Sequence, residues 1–134
     1  IYMNVLWLTS PFKRDDISTN KDTIWVFTDN ESKKGGGEMK EWMRSNDNCH
    51  AIITRETIGS NGYFKEDNIF KTSRIMRDSF HSLQLKIRQG KLVILPSIEI
   101  NEALIELEKN APTLAIIFSK CIDTTNKYRM TTLV

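Results

Sequence analysis

Four short stretches of this chain are apolar at almost every position: residues 24–27 (IWVF), 51–54 (AIIT), 92–95 (LVIL) and 113–119 (TLAIIFS). A strand with one face in water alternates apolar and polar residues, whereas a strand covered on both faces is apolar throughout. Residues 2–8 alternate loosely and read as a further strand at the start of the chain. The segments between these runs carry a different period. Over residues 67–88, Met76, Phe80, Leu83 and Ile87 follow steps of four, three and four, which predicts an amphipathic helix of several turns. Asp67 or Asn68 suits its N-cap and Gly90 its C-terminal stop. Met39, Trp42 and Met43 share a face of a short helix over residues 37–44, and Asn101 is expected to cap another that runs to about Asn110, before Pro112. Residues 10–21, polar and opened by Pro11, read as a loop, and residues 57–65, with Gly59, Asn61 and Gly62, as a connection containing a turn. Residues 128–134 offer an edge strand. Buried strands alternating with helices imply a single layered α/β domain whose sheet is mostly parallel or mixed, with helices on both faces.

Composition narrows the function more than it names one. At 134 residues, without an internal repeat, the chain is expected to form one domain with a genuine core. The net charge of +2 is too small for bulk attraction to nucleic acid or to an anionic membrane, so neither is expected as a partner. No apolar run approaches the roughly 18 residues of a membrane span. No signal peptide is read, and Cys49 and Cys121 lack a CxxC spacing, which points to reduced thiols in a cytoplasm, that of the host for a viral protein. The abundance of Ile, Lys and Asn fits an AT-rich genome such as that of a virus, a phage or a low-GC bacterium. His50 and His81 belong to no set with metal-ligand spacing, no cofactor is expected, and no serine lies in a nucleophile frame, so no catalytic residue is assigned.

One junction stands out. Residues 24–27 lead through Thr28, Asp29 and Asn30 to Lys33 and Lys34, then to Gly35, Gly36, Gly37 and the short helix. Glycine admits positive φ and lets a ligand touch the main chain, and a helix N-terminus offers unpaired N–H groups. An anion site and a plain strand-to-helix turn both account for three glycines, and Asp29 and Asn30 also suit an Asx turn. In a parallel sheet ligands bind beyond the carboxyl ends of the strands. A second loop there, residues 96–101, follows the strand at 92–95.

The order of these features resembles the macro domain superfamily. Asn30 corresponds to that family's strand-end asparagine, Gly35, Gly36 and Gly37 to its glycine cluster, and Leu95-Pro96-Ser97 to its second loop. Asp16-Ile17-Ser18 is similar to its upstream Asp-Ile-Thr element, and the chain also looks like phage and bacterial sequences with an FTDN strand end. The resemblance implies a macro-like pocket for ADP-ribose, an NAD-derived or a cyclic nucleotide. Its site would comprise Asp16, Asp29, Asn30, Lys34, Gly35, Gly36, Gly37 and Ser97. Amides of residues 35–37 and 97–100 would hold the diphosphate, with Asn30 at the distal ribose and Asp16 at the adenine end. A second reading stays open, a small phage-type protein that keeps the fold without a working pocket and binds or inhibits a host protein. It is favoured by the absence of glycine from residues 97–101, where the β-branched Ile98 and Ile100 resist positive φ.

Overall fold

The structure is a computed structural model and describes residues 2–130. Its centre is a four-stranded sheet of Val5–Leu8 (β1), Ile24–Asn30 (β2), Cys49–Arg55 (β3) and Val93–Pro96 (β4). The strands lie in the order β1-β4-β2-β3, and all three pairings are parallel. Strand β2 is buried at every position, as the apolar run at residues 24–27 requires of a central strand.

Among the described residues five α-helices cover the sheet: Arg14–Thr19 (α1), Glu38–Arg44 (α2), Ile69–Arg88 (α3), Ser97–Asn110 (α4) and Pro112–Asn126 (α5). Alternation along the strands sorts them between two faces. Val26, Ile52 and Leu95 point into a large core with Met76, Phe80, Leu83 and Ile87 of α3, Ala103 and Leu107 of α4, and Leu114 and Phe118 of α5. Phe80 and Phe118 meet edge to face there, 5.5 Å between centroids, and losing either ring would cost about 3–5 kcal/mol. Trp25, Phe27 and Ile94 point the other way, onto Ile17 of α1 and Met43 of α2. The α/β class with helices on both faces therefore follows from the strand pattern, and the described sheet is wholly parallel.

Four local expectations are corrected. Residues 14–19 form α1 inside the expected loop, held by the single buried side chain Ile17. There is no loop over residues 96–101: Pro96 occupies the N-cap of α4 with φ −86° and ψ 102°, and the helix starts at Ser97. A proline fits there because a helix start needs no N–H from it. Asn101 consequently lies within α4 and caps nothing. The run at 113–119 is not a strand but the front half of α5, whose buried residues Leu114, Ala115, Phe118 and Thr125 follow helical spacing. At the C-terminal end, Arg129 makes a parallel bridge to Val5, and the rest of the expected edge strand, 131–134, falls outside the described residues.

From β2 the chain moves through α2 to β3 on one side, while β4 pairs on the other side of β2 and continues into α4. Because α2 and α4 cover opposite faces, the chain diverges at the carboxyl ends of β2 and β4. Such a divergence opens a crevice.

Candidate functional site

The last residues of β2 form the floor of that crevice. Thr28, Asp29 and Asn30 are each less than a tenth exposed, an unusual burial for three consecutive polar side chains. Asp29 points toward α2, where Arg44 grips it with two bonds, Nε to Oδ2 at 2.9 Å and Nη2 to Oδ1 at 2.6 Å. Asp29 also accepts the Asn30 amide at 2.8 Å. The hydrogen bond to the carboxylate is the main reason the Arg44 pKa is raised above its ordinary value. Asn30 templates the turn that follows: its Nδ2 donates to the Lys34 carbonyl at 3.0 Å, and its Oδ1 accepts from Ser32 Oγ and from the Lys34 amide. That brace holds Lys33 at φ 56°, the one non-glycine residue with positive φ among those described.

Gly35, Gly36 and Gly37 continue the left-handed path at φ 69°, 85° and 100°. Every one of them needs to be glycine on conformational grounds. Gly35 and Gly36 have a second reason, since a Cβ would come within 2.5 Å of Ile58 Cδ1 at the first and 2.8 Å of Lys40 Cδ at the second. Among the described residues the amides of Gly35, Gly36 and Gly37 meet no acceptor.

The opposite wall is α4. Its Glu99 accepts the Thr28 amide at Oε2, 2.8 Å, and pairs with Lys40 Nζ at Oε1, 3.3 Å. Lys40 in turn donates to the Thr28 carbonyl and, at 3.1 Å, to the Thr28 hydroxyl. This bridge ties α2 to α4 and divides the crevice into two lobes. A polar lobe of about 190 Å³ is lined by Asn30, Thr54, Arg55, Glu102 and Glu106. An apolar lobe of about 350 Å³ is lined by Phe12, Phe27, Met39, Met43 and Ile98. Gly36, Lys40, Glu99 and Glu102 belong to both.

The residues singled out from sequence are thus partly brought together. Asp29, Asn30 and Gly36 line the polar lobe, with Gly35 and Gly37 flanking. Lys34 meets Asn30 through its backbone. Asp16 is exposed on α1, which packs by Ile17 on the α2 face of the sheet, and its carbonyl accepts from Asn20 at 2.8 Å. Ser97 turns its hydroxyl to the Leu8 carbonyl at 3.0 Å and lines a separate cavity with Trp7 and Phe118. Lys40, Thr54, Glu99, Glu102 and Glu106 were not anticipated. The three glutamates stand three and four residues apart, one face of a helix, and that spacing was the available signal.

A second polar cluster lies on β3. His50 Nε2 faces the Ser79 carbonyl at 2.8 Å and Nδ1 faces Lys86 Nζ at 2.9 Å. An ammonium can only donate, so Nδ1 accepts and the ring proton sits on Nε2. Burial lowers the His50 pKa to about 4 and raises that of neighbouring Cys49 to about 11. These groups are therefore neutral near pH 7. Among the described residues no group of three or more His, Cys, Asp and Glu is arranged to hold a metal ion, and no helix is long and apolar enough to cross a membrane.

No curated protein and no solved structure matches the chain. A family match, however, runs from the last residue of β1 into α5 and so takes in both walls of the crevice. Over residues 8–120 the chain matches the Family of unknown function (DUF7831), and it belongs to that family.

Proposed function

We propose that this chain binds a phosphate-bearing small molecule of the nucleotide class, such as ADP-ribose, an NAD-derived nucleotide or a cyclic nucleotide, in the crevice between α2 and α4. The observation that carries the reading is the run of three left-handed glycines with unpaired amides, one of which, Gly36, borders both lobes. Three such residues exceed what a turn needs, and amides left open beside a cleft suit an anion. Lys40 adds a cation at the same point. The apolar lobe, walled by Phe12, Phe27 and Met39, has the chemistry to accept a planar base.

The test is thermal stability and calorimetry with ADP-ribose, NAD, cyclic ADP-ribose and cyclic dinucleotides, on the native chain, Gly36→Val and Lys40→Met. Ligand at one hundred times its Kd stabilises by about 2.7 kcal/mol. That gain is expected in the native chain and should vanish in both variants. Lys40→Met leaves the glycine backbone untouched, so it remains informative if Gly36→Val unfolds.

One observation favours a second reading. The Glu99 carboxylate already sits on the Thr28 amide and Lys40, where an incoming anion would compete with it. A crevice closed by its own carboxylate suits a protein that keeps the fold and acts on a host protein instead. Trp42, with Arg14 over its ring at 5.3 Å, is then the first contact to mutate. Absence of any nucleotide shift, together with capture of a host partner that is lost in Trp42→Ala, would replace the first reading by the second.

A further inference from the structure

Two cations line the polar lobe, and one of them is already matched. Lys40 pairs with Glu99, whereas Arg55 has no carboxylate partner among the described residues. The Arg55 side chain is nonetheless held in place. Its Nε donates to the Thr57 carbonyl at 2.8 Å and its Nη2 to the Gly59 carbonyl, and the guanidinium lies over the Tyr63 ring at 4.3 Å. A guanidinium offers more N–H donors than these two bonds use.

The loop that holds Arg55 is tightly built and docked on the glycine path. The amides of Glu56 and Thr57 both donate to the Gly62 carbonyl, at 2.8 and 3.2 Å, and a Cβ on Gly62 would fall 2.0 Å from the Thr57 carbonyl oxygen. Past the end of β2, the Glu31 amide donates to the Arg55 carbonyl at 2.8 Å and the Ser32 amide to the Glu56 carbonyl at 3.2 Å. Ile58, which also lines the lobe, rests on Gly35, its Cδ1 2.5 Å from where a Cβ would stand. Residues 56–62 and residues 31–37 are thereby zipped into one unit, which sets an ordered guanidinium beside glycine amides that meet no acceptor. A long cation usually loses side-chain freedom when it grips an anion; here that loss has already occurred in the folded chain.

We infer that Arg55 is the anion-recognising side chain of the crevice, taking a phosphoryl group of the ligand in the polar lobe between its remaining N–H groups and Gly36. This rests on the crevice being a ligand site, and adds the residue that selects phosphate and the place where phosphate sits. Glu102 and Glu106 border the same lobe from α4, which confines the anion to the β2–β3 side of it.

The experiment is titration of the ¹⁵N-labelled chain with inorganic pyrophosphate, followed at the arginine Nε–H and glycine amide signals. It is run on the native chain, Arg55→Gln, Arg55→Lys and Lys40→Met. In the native chain the signals of Arg55 and Gly36 are expected to move together, a readout that needs no variant to fold. In Arg55→Gln the pyrophosphate Kd should rise at least about tenfold, as loss of charge-assisted bonds implies. Arg55→Lys keeps the charge without the planar fork and should fall between the native chain and Arg55→Gln. A residue that only held its own loop would act through the two carbonyl bonds, which neither replacement reproduces. Equal losses in Arg55→Gln and Arg55→Lys, with the native Arg55 signal unmoved, would therefore overturn the inference. Pyrophosphate that binds Arg55→Gln as tightly as the native chain, yet is lost in Lys40→Met, would overturn it and leave the crevice standing. Failure of pyrophosphate to bind the native chain would overturn the inference and the crevice reading together.

Discussion

The two junctions that wall the crevice stand at equivalent places, each where a central strand hands over to a helix, and they are built in opposite ways. After β2 the chain spends residues 31–37 on the turn, places Lys33 and three glycines in left-handed backbone, and arrives at α2 with a glycine N-cap. After β4 it spends none: Pro96 is at once the end of the strand and the N-cap of α4. The first junction exposes main-chain donors. The second brings side-chain acceptors, Glu99, Glu102 and Glu106, to the same opening. A cleft between two parallel strands thus acquires a donor wall and an acceptor wall from the difference in loop length alone.

Breaking the donor wall at its foundation should have the largest effect. Arg44→Ala leaves the Asp29 carboxylate, 1% exposed, buried without its cation, and should cost about 3–5 kcal/mol in urea unfolding. If the loss is below 1 kcal/mol, the ion pair does not anchor the β2 junction. The buried imidazole of His50 comes next. His50 has a folded pKa of about 4 against about 6.5 unfolded, so between those values the unfolded chain binds more protons. Stability should therefore be flat above pH 6.5, fall as pH drops toward 4 by roughly 3 kcal/mol in all, and level off below. His50→Gln should remove that slope, and a slope that survives unchanged would show that His50 is not its source.

The glycine path itself predicts an intermediate effect. Gly36→Ala adds left-handed strain and a 2.8 Å approach to Lys40 Cδ, and should cost about 1–3 kcal/mol. Gly37→Ala, whose Cβ would meet nothing within 4 Å, should cost less, as strain alone. Equal costs would mean that the Lys40 contact is unimportant. Smallest is the tie between the walls. Glu99→Gln weakens a partly exposed pair with Lys40 and a bond from the Thr28 amide, for about 1 kcal/mol. Its sharper readout is anion affinity: removing the resident carboxylate charge should improve pyrophosphate binding, whereas unchanged binding would separate Glu99 from the anion site.

The two walls also differed in how far the sequence disclosed them. Residues 24–27 and 92–95 are apolar at every position, and Met76 to Ile87 keep strict helical steps, so the sheet and α3 were plain. Glycine marks the donor wall because positive φ leaves little else to choose. The acceptor wall was hidden behind Pro96. Proline ends strands and begins helices equally well, and both Ser97 and Asn101 suit an N-cap, so taking the later one left a loop where a helix starts. The run at 113–119 misled for a related reason: seven residues, mostly apolar, suit a buried strand or a buried helix alike. Only the polar continuation to Asn126, with Thr125 wholly buried on the same side as Phe118, reveals α5. Glu102 and Glu106 read as solvated charges, and Thr54 as the end of an inner strand. Their significance comes from facing one cavity, which no local pattern encodes.

The absence of any connecting residue between β4 and α4 also has a mechanical consequence. A helix that continues directly from a central strand shares its register with the sheet, and α4 is pinned further by Ile100, Ala103 and Leu107 in the core. It cannot tilt without disturbing the pairing of β4. On the other side, α2 has seven residues and buries Met43 alone, at the end of a path of consecutive glycines. Such a segment belongs to the weakly held end of a protein's local stabilities. Any adjustment of the crevice to an occupant therefore falls to the glycine side, with the carboxylates acting as a fixed jaw against which it closes. Deuterium should enter α2 well before it enters α4.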